Sequence, residues 1–322
     1  MTGPGVGAKG FIGFGAETVW GTAVAPRKYI EFLSESIKRN QSGAVSNGIN
    51  PYRGATSYKK TTIAPGGDIA FEISPEGIPV LLYHCLGGVA TTTSGAGYQH
   101  IITPAISLPT GLTFHVNRDM AYFDYPGSKI NTFNMSFAPN EIITGSVSIA
   151  SKNETAVLVA TTPDPNTPTF STAEPFTGVQ AVILVDGSPQ GVMAADFSVS
   201  NDIYEGKYEL GQNYRAALIE QKRSVTGKLN IEFDDLDMYN LFVNGTPSTL
   251  RITLTSDQTA SPAYSMGIYF PKIVYTGDTP TMGGPGIITV DCPFTALMTS
   301  SSVPEVTVTV INHEATVTGL AA

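Results

Sequence analysis

The chain has 322 residues, 42% hydrophobic and only 14% charged, with a formal net charge of -9. The apolar share excludes a disordered chain, and the acidic balance excludes a surface built to grip nucleic acid, which needs clustered Lys and Arg. Two cysteines, Cys85 and Cys292, are too few for a disulfide framework and are expected to be buried free thiols.

The 33 Gly and 22 Pro, with abundant Ser and Thr, predict a mainly β protein with many turns. So few charges imply that much of the surface lies against other molecules, as in an assembly subunit. The start, Met1-Thr2-Gly3-Pro4-Gly5, carries no charged or apolar run of a secretory signal. No apolar run approaches the ~20 residues of a membrane helix, so no membrane partner is expected. The expected compartment during assembly is a cytoplasm.

Residues 1–28 are expected to be a glycine-rich arm with little core of its own, holding the single Trp, Trp20, and ordering on a neighbour. Its glycines do not make a phosphate loop, because no strand precedes them and no Lys-Ser/Thr follows. Residues 29–152 form the first expected β domain. Tyr29 to Ile37 reads as its first strand.

Lys38 to Thr61 is a long polar stretch that carries Lys38, Arg39, Arg53, Lys59 and Lys60 and no acid. It is either a solvated loop or a basic loop that docks on the acidic surface of another copy. These five residues, with Trp20, are the candidate inter-subunit contacts.

Asp68 to Ile73 alternates, with Asp68, Ala70 and Glu72 on one side and Ile69, Phe71 and Ile73 on the other, as in a half-buried strand. Ser74-Pro75-Glu76 reads as a helix start, and the short apolar helix stops at Gly87. Thr91 to Gly97 reads as a flexible turn. Strands are expected at 113–117 and 120–125 around Asn117-Arg118-Asp119, and at 129–137 and 142–151. The Pro- and Thr-rich residues 153–177 read as a linker.

Residues 178–322 form the second expected domain. Val179 to Val185, a turn at Asp186-Gly187 and a strand into Val199 make a hairpin. A short helix is expected near Arg215 to Lys222, a long hairpin tip at 276–286, and a closing strand at 305–311.

The two halves echo one another, as a tandem duplication would. Gly227-Lys-Leu-Asn-Ile-Glu-Phe233 lies over Gly67-Asp-Ile-Ala-Phe-Glu-Ile73, and Asp234-Asp235 caps a second short helix that ends at Asn244-Gly245. Lys129 to Phe133 resembles Lys272 to Tyr275, and Ile142-Ile143-Thr144 resembles Ile287-Ile288-Thr289.

Catalytic and metal-binding patterns do not emerge. His84, His100, His115 and His313 show no ligand spacing with the cysteines, no Ser lies in a nucleophile elbow, and Asp234 to Asp237 lacks the spacing of a calcium loop. No cofactor, metal or enzymatic activity is expected. The alternative reading is a carbohydrate- or receptor-binding β-sandwich, a virion decoration or adhesin, with Tyr122, Phe123 and Tyr125 as the nearest aromatic face.

Three segments in this order, Gly15 to Pro26, Tyr29 to Ser36 and Val225 to Phe233, resemble the major tail tube proteins of long, non-contractile-tailed bacteriophages, over about residues 11 to 311. The resemblance implies two tandem β-barrel or β-sandwich tube domains, each with one flanking helix. Three chains would then complete a pseudo-sixfold ring, with a hexamer as the alternative, and rings would stack into a tube that conducts genomic DNA without specific binding. Implied partners are further copies and the tape-measure, tail terminator and distal tail proteins, and the implied final location is the virion tail. Asp68, Glu72, Lys228 and Glu232 are the candidate lumen-facing residues.

Overall fold

The computed structural model describes residues 4–49, 51–159, 162, 164–277, 279, 282 and 286–319. Among the described residues the structure is mainly β, with two short α-helices. In the first half the elements are β1 (Phe11–Ala16), β2 (Lys28–Ile30), β3 (Ser34–Glu35), β4 (Gln41–Val45), β5 (Tyr58–Ile63), β6 (Gly66–Glu72) and α1 (Ile78–Leu86). Then come β7 (Gly87–Ser94), β8 (Gly97–Pro104), β9 (Leu112–Asn117), β10 (Ala121–Phe137), β11 (Thr144–Ala150) and β12 (Thr155–Leu158). The second half contains β13 (Ala181–Val185), β14 (Ser188–Pro189), β15 (Val192–Ser200), β16 (Ser224–Glu232) and α2 (Asp237–Asn244). It ends with β17 (Ser248–Thr255), β18 (Ser265–Tyr275), β19 (Thr289–Ala296) and β20 (Thr307–Asn312).

The pairings are antiparallel, and one path, β3-β6-β11-β10-β15-β16-β19-β18, runs through both halves. Apolar residues from successive strands of this path, among them Phe71, Phe133, Val147, Phe197, Leu229 and Phe294, point to one side and join a continuous core. That alternation follows from the two-residue period of a strand.

The same pairing plan occurs twice. Glu72 faces Thr144 and Gly66 faces Ala150 in β6–β11, while Glu232 faces Thr289 and Thr226 faces Thr295 in β16–β19. The bond beyond each strand repeats as well: Ile73 N donates to Ile143 O at 2.8 Å, and Phe233 N to Ile288 O at 2.9 Å. Ser34 faces Ala70 as Ala194 faces Asn230. Leu112 faces Ser128 and Phe114 faces Tyr125 across an irregular register, as Ser248 faces Ile273 and Leu250 faces Phe270.

One echo in the sequence is displaced. Ile130 faces Ile149, and the residue that faces Phe294, the counterpart of Ile149, is Tyr275 rather than Ile273. A slip of two residues leaves every side chain on its own face, so alternation alone does not register it.

Several local expectations are corrected. The helix starts at Ile78 behind Gly77, not at Pro75, because Pro79 lacks an N–H and fits only the first turn. Its end is as expected: Gly87 takes a left-handed conformation (φ 103°), and its N–H caps Tyr83 O. Thr91 to Gly97 is not a loose turn but the tip of the β7–β8 hairpin; the Thr run has high β propensity without apolar alternation. The strands expected at 120–125 and 129–137 are one long strand, β10, which begins at Ala121. Tyr29 to Ile37 is broken into β2 and β3.

No helix forms near Arg215 to Lys222. There the buried Arg215 bonds to the carbonyls of Pro65 and Ser151, both at 2.7 Å, and organises an irregular loop instead. Part of the expected hairpin tip at 276–286 lies outside the described residues. Within the expected arm, Phe11–Ala16 is a fully buried strand on β9, so this part packs in the core of its own chain. Within the expected linker, β12 pairs with β10, and Phe176 is buried.

The two helices differ in cover. α1 buries Ile78, Val80, Leu81, Leu82, Cys85 and Leu86, in part beneath residues of the second half: Asn201 Nδ2 donates to Cys85 O at 2.9 Å, and His84 Nε2 meets Thr318 O at 3.0 Å. α2 buries no residue completely; Met238, Leu241 and Phe242 touch the core, while Leu236 and Val243 remain 55% exposed. Among the described residues no helix is long and apolar enough to cross a membrane.

Candidate functional site

The polar side of the central sheet path is an extended surface shared by six strands. One row of facing residues crosses six strands: Glu72, Thr144, Ser136, Asp196, Lys228 and Pro293. A second row runs Ala70, Ser146, Asn134, Ser198, Thr226 and Thr295. At about 4.8 Å between strands, each row spans roughly 24 Å. Six of these twelve residues are Ser or Thr; the opposite face of the same strands is committed to the core, and alternation leaves every second position to water.

Carboxylates punctuate this face. Asp68 lies opposite Ser148, Asn230 lies opposite Asp291, and Glu232 closes β16 opposite Thr289. Asn230 Nδ2 donates to Asp291 Oδ1 at 2.7 Å, and this bond, with Lys228 Nζ at 3.4 Å from Oδ2, holds the Asp291 carboxyl below its ordinary pKa. Partial burial pushes Asp196 up, and nearby Asp291 adds to the shift against the attraction of Lys228. Lys228 and Asp291 are both substantially exposed, so their pairing contributes little to stability.

The four candidate lumen-facing residues share the polar side of the sheet. The sheet brings Glu72 and Lys228 into one row, with Asp68 and Glu232 elsewhere on the same face. Asp196, Asp291 and the Ser/Thr/Asn ladder of β10 and β11 escaped the sequence reading. Alternation in Ala195-Asp196-Phe197-Ser198-Val199 and in Thr144 to Ile149 carries that signal, but only the strand order places the two segments together.

The candidate contact residues are dispersed. Lys38 bridges to Gly66 at the end of the same sheet face. Arg39 Nε donates to Gln41 Oε1 at 3.2 Å, and its guanidinium lies 3.9 Å from Glu154. Lys59 and Lys60 stand exposed on β5, in the two-stranded β4–β5 hairpin, and Arg53 is exposed at its tip.

Trp20 is half-buried within its own chain, where its indole N–H donates to Gly127 O at 3.1 Å and Lys152 Nζ lies 4.7 Å from its ring. Tyr122 and Tyr125 are buried, which removes most of the aromatic face considered for a sugar-binding reading. Cys85 and Cys292 are buried free thiols, with pKa values pushed by burial up to about 12 and about 11.

A family model described as phage tail tube protein matches residues 7–296. Among curated proteins none matches the chain.

Proposed function

Because the chain belongs to the phage tail tube protein family, we propose that its copies form closed rings, that the rings stack into the tube of a long, non-contractile tail, and that the hydroxylated, acidic sheet face lines the bore. Each half serves as one tube domain, so three chains complete a pseudo-sixfold ring; a hexamer is the alternative. Subunits assemble in the host cytoplasm and end in the virion tail, beside tape-measure, tail terminator and distal tail proteins. The role is structural rather than enzymatic.

The observation that carries this reading is the polar face itself. Ser, Thr and Asn offer hydrogen bonds to water without an apolar or cationic grip, while Asp68, Glu72, Asp196, Glu232 and Asp291 repel phosphate. The Debye length is about 8 Å at physiological ionic strength, so this repulsion acts only near the wall. DNA then slides at a distance rather than binding, since strong phosphate contacts need unpaired Lys and Arg.

Charge reversal by Glu72→Lys with Glu232→Lys tests the reading. Tubes should form normally, and genome ejection should slow and become more salt-dependent. Unchanged ejection kinetics in intact tubes would exclude these residues from the bore.

A further inference from the structure

The junction between the two halves has a counterpart on each side of the chain, β3 in the place of β15 and α2 in the place of α1. Inside the chain, β10 pairs with β15 from Thr132–Ser200 to Phe137–Ala195. Beside this seam α1 is roofed by the second half, through Asn201 on Cys85 O, Asn312 Nδ2 on Pro75 O at 2.9 Å and Glu314 Oε2 on Gly77 N at 3.1 Å. β3 repeats the position of β15: Glu35 faces Ile69 as Ala195 faces Leu229. Among the described residues, however, β3 has β6 as its only strand partner. α2 follows β16 as α1 follows β6, yet its outer side keeps Leu236 and Val243 exposed.

The outer edge of β3 is occupied by side chains instead. Ser36 N and Lys38 N bond to Asp68 O and Gly66 O, so Ile37 between them turns its peptide groups away from β6. Ile37 N donates to Glu35 Oε2 at 2.9 Å, and Ile37 O accepts from Arg118 Nη2 at 2.7 Å and from Tyr125 Oη at 3.4 Å. Arg118 holds Glu35 with two further bonds of 2.8 and 2.9 Å, a forked geometry that fixes both partners. The corresponding residue of β15, Phe197, faces Met135 of β10 instead.

From this we infer that the outer edge of β3 and the exposed side of α2 are the two complementary sides of one contact between copies of this chain, built as a repeat of the internal seam, and that the Glu35–Arg118 pair caps the β3 edge until the contact forms. The occupant of each surface is a second copy. An unpaired edge is a template for uncontrolled pairing, and a bidentate ion pair that satisfies Ile37 is a reversible guard. The inference rests on the ring reading, because a repeated seam is a head-to-tail contact, which gives a ring when its rotation closes.

The test compares assembly of purified full-length chains by light scattering and electron microscopy. Arg39→Pro, just past β3 on the continuation of its edge, and Leu236→Asp, at the N-cap of α2, should each raise the concentration needed for assembly at least tenfold, and Arg118→Gln should lower it. Thermal unfolding of the isolated chains separates assembly defects from misfolding.

Hydrogen exchange on the wild type provides a readout without substitution. The amides of Ile37, Arg39 and α2 should become at least tenfold better protected in the assembly. Wild-type tubes with unchanged protection at these amides, or variants that are folded and assemble like the wild type, would overturn the contact and leave the ring reading standing. Wild-type chains that stay single at every concentration would overturn both.

Discussion

Phe133 of β10 lies directly opposite Val199 of β15, and through this register the two halves share one sheet. Both side chains are buried, and Phe133 also meets Phe71 with ring centroids 6.1 Å apart. The seam is held by main-chain pairing and, underneath, by Phe137 of β10 stacked on Phe197 of β15 with ring centroids 6.3 Å apart.

Truncating Phe133 removes a fully buried ring at this seam. Phe133→Ala should cost about 3–5 kcal/mol. Ser146→Ala, on the polar face of the neighbouring strand, should stay within about 0.5 kcal/mol. Urea unfolding of the isolated chain measures both, and equal effects would mean that the seam does not depend on its aromatic underside.

His115 should make stability depend on pH. Its buried ring directs Nδ1 to Asp124 Oδ1 at 2.7 Å and Nε2 to Asp164 Oδ2 at 2.8 Å, so the doubly protonated form satisfies both carboxylates. Burial opposes the charge, but the bonds to Asp124 and Asp164 outweigh it and raise the pKa above 6.5. Burial likewise opposes charge on Asp164, and the bonds from Asn117, Asn166 and His115 outweigh it and hold its pKa below 3.8.

A raised folded-state value stabilises fully below pH 6.5 and is lost as pH climbs through that value. A depressed Asp164 stabilises above pH 3.8 and is lost as pH falls through its folded value. Thermal unfolding between pH 6 and 9 should therefore show a declining midpoint. His115→Gln should flatten this decline and cost ~3 kcal/mol at pH 6. An unchanged pH profile would mean that the ring does not carry the proton.

Arg215 is 3% exposed and ties three segments together, through Pro65 O, Ser151 O and the carboxylate of Glu205. Arg215→Met leaves Ser151 O without its guanidinium donor and takes from Pro65 O the second of its two donors, the other being Ser151 N, and should cost about 2–4 kcal/mol. Arg215→Lys should rescue little, since a single ammonium cannot reproduce the guanidinium fork. Denaturant titration of both variants is the check, and full rescue by Lys would assign Arg215 a charge role only.

Much of the fold is legible in the sequence. Alternation marked the core-facing residues of β6 and β16, and Asp186-Gly187 marked a turn that the structure forms with both residues at positive φ. Glu72 and Glu232 could be matched by eye, because each precedes a helix entry at the end of an alternating strand. The β7–β8 hairpin was less visible, since its Thr and Gly residues lack an apolar stripe. So was the burial of Phe11–Ala16, whose glycines suggested an arm although β9 and β2 flank it on either side.

Local pattern by itself determined which residues prefer strand, which side of each strand avoids water, and that the plan occurs twice, because these depend on neighbours within a few positions. Tertiary structure decided that β10 meets β15, that Asp196 joins the row of Glu72, and that α1 is roofed while α2 is bare. Those outcomes depend on pairings between residues distant in sequence. Antiparallel edges accept many partners through the same main-chain groups, so only the packing of the whole chain selects among them.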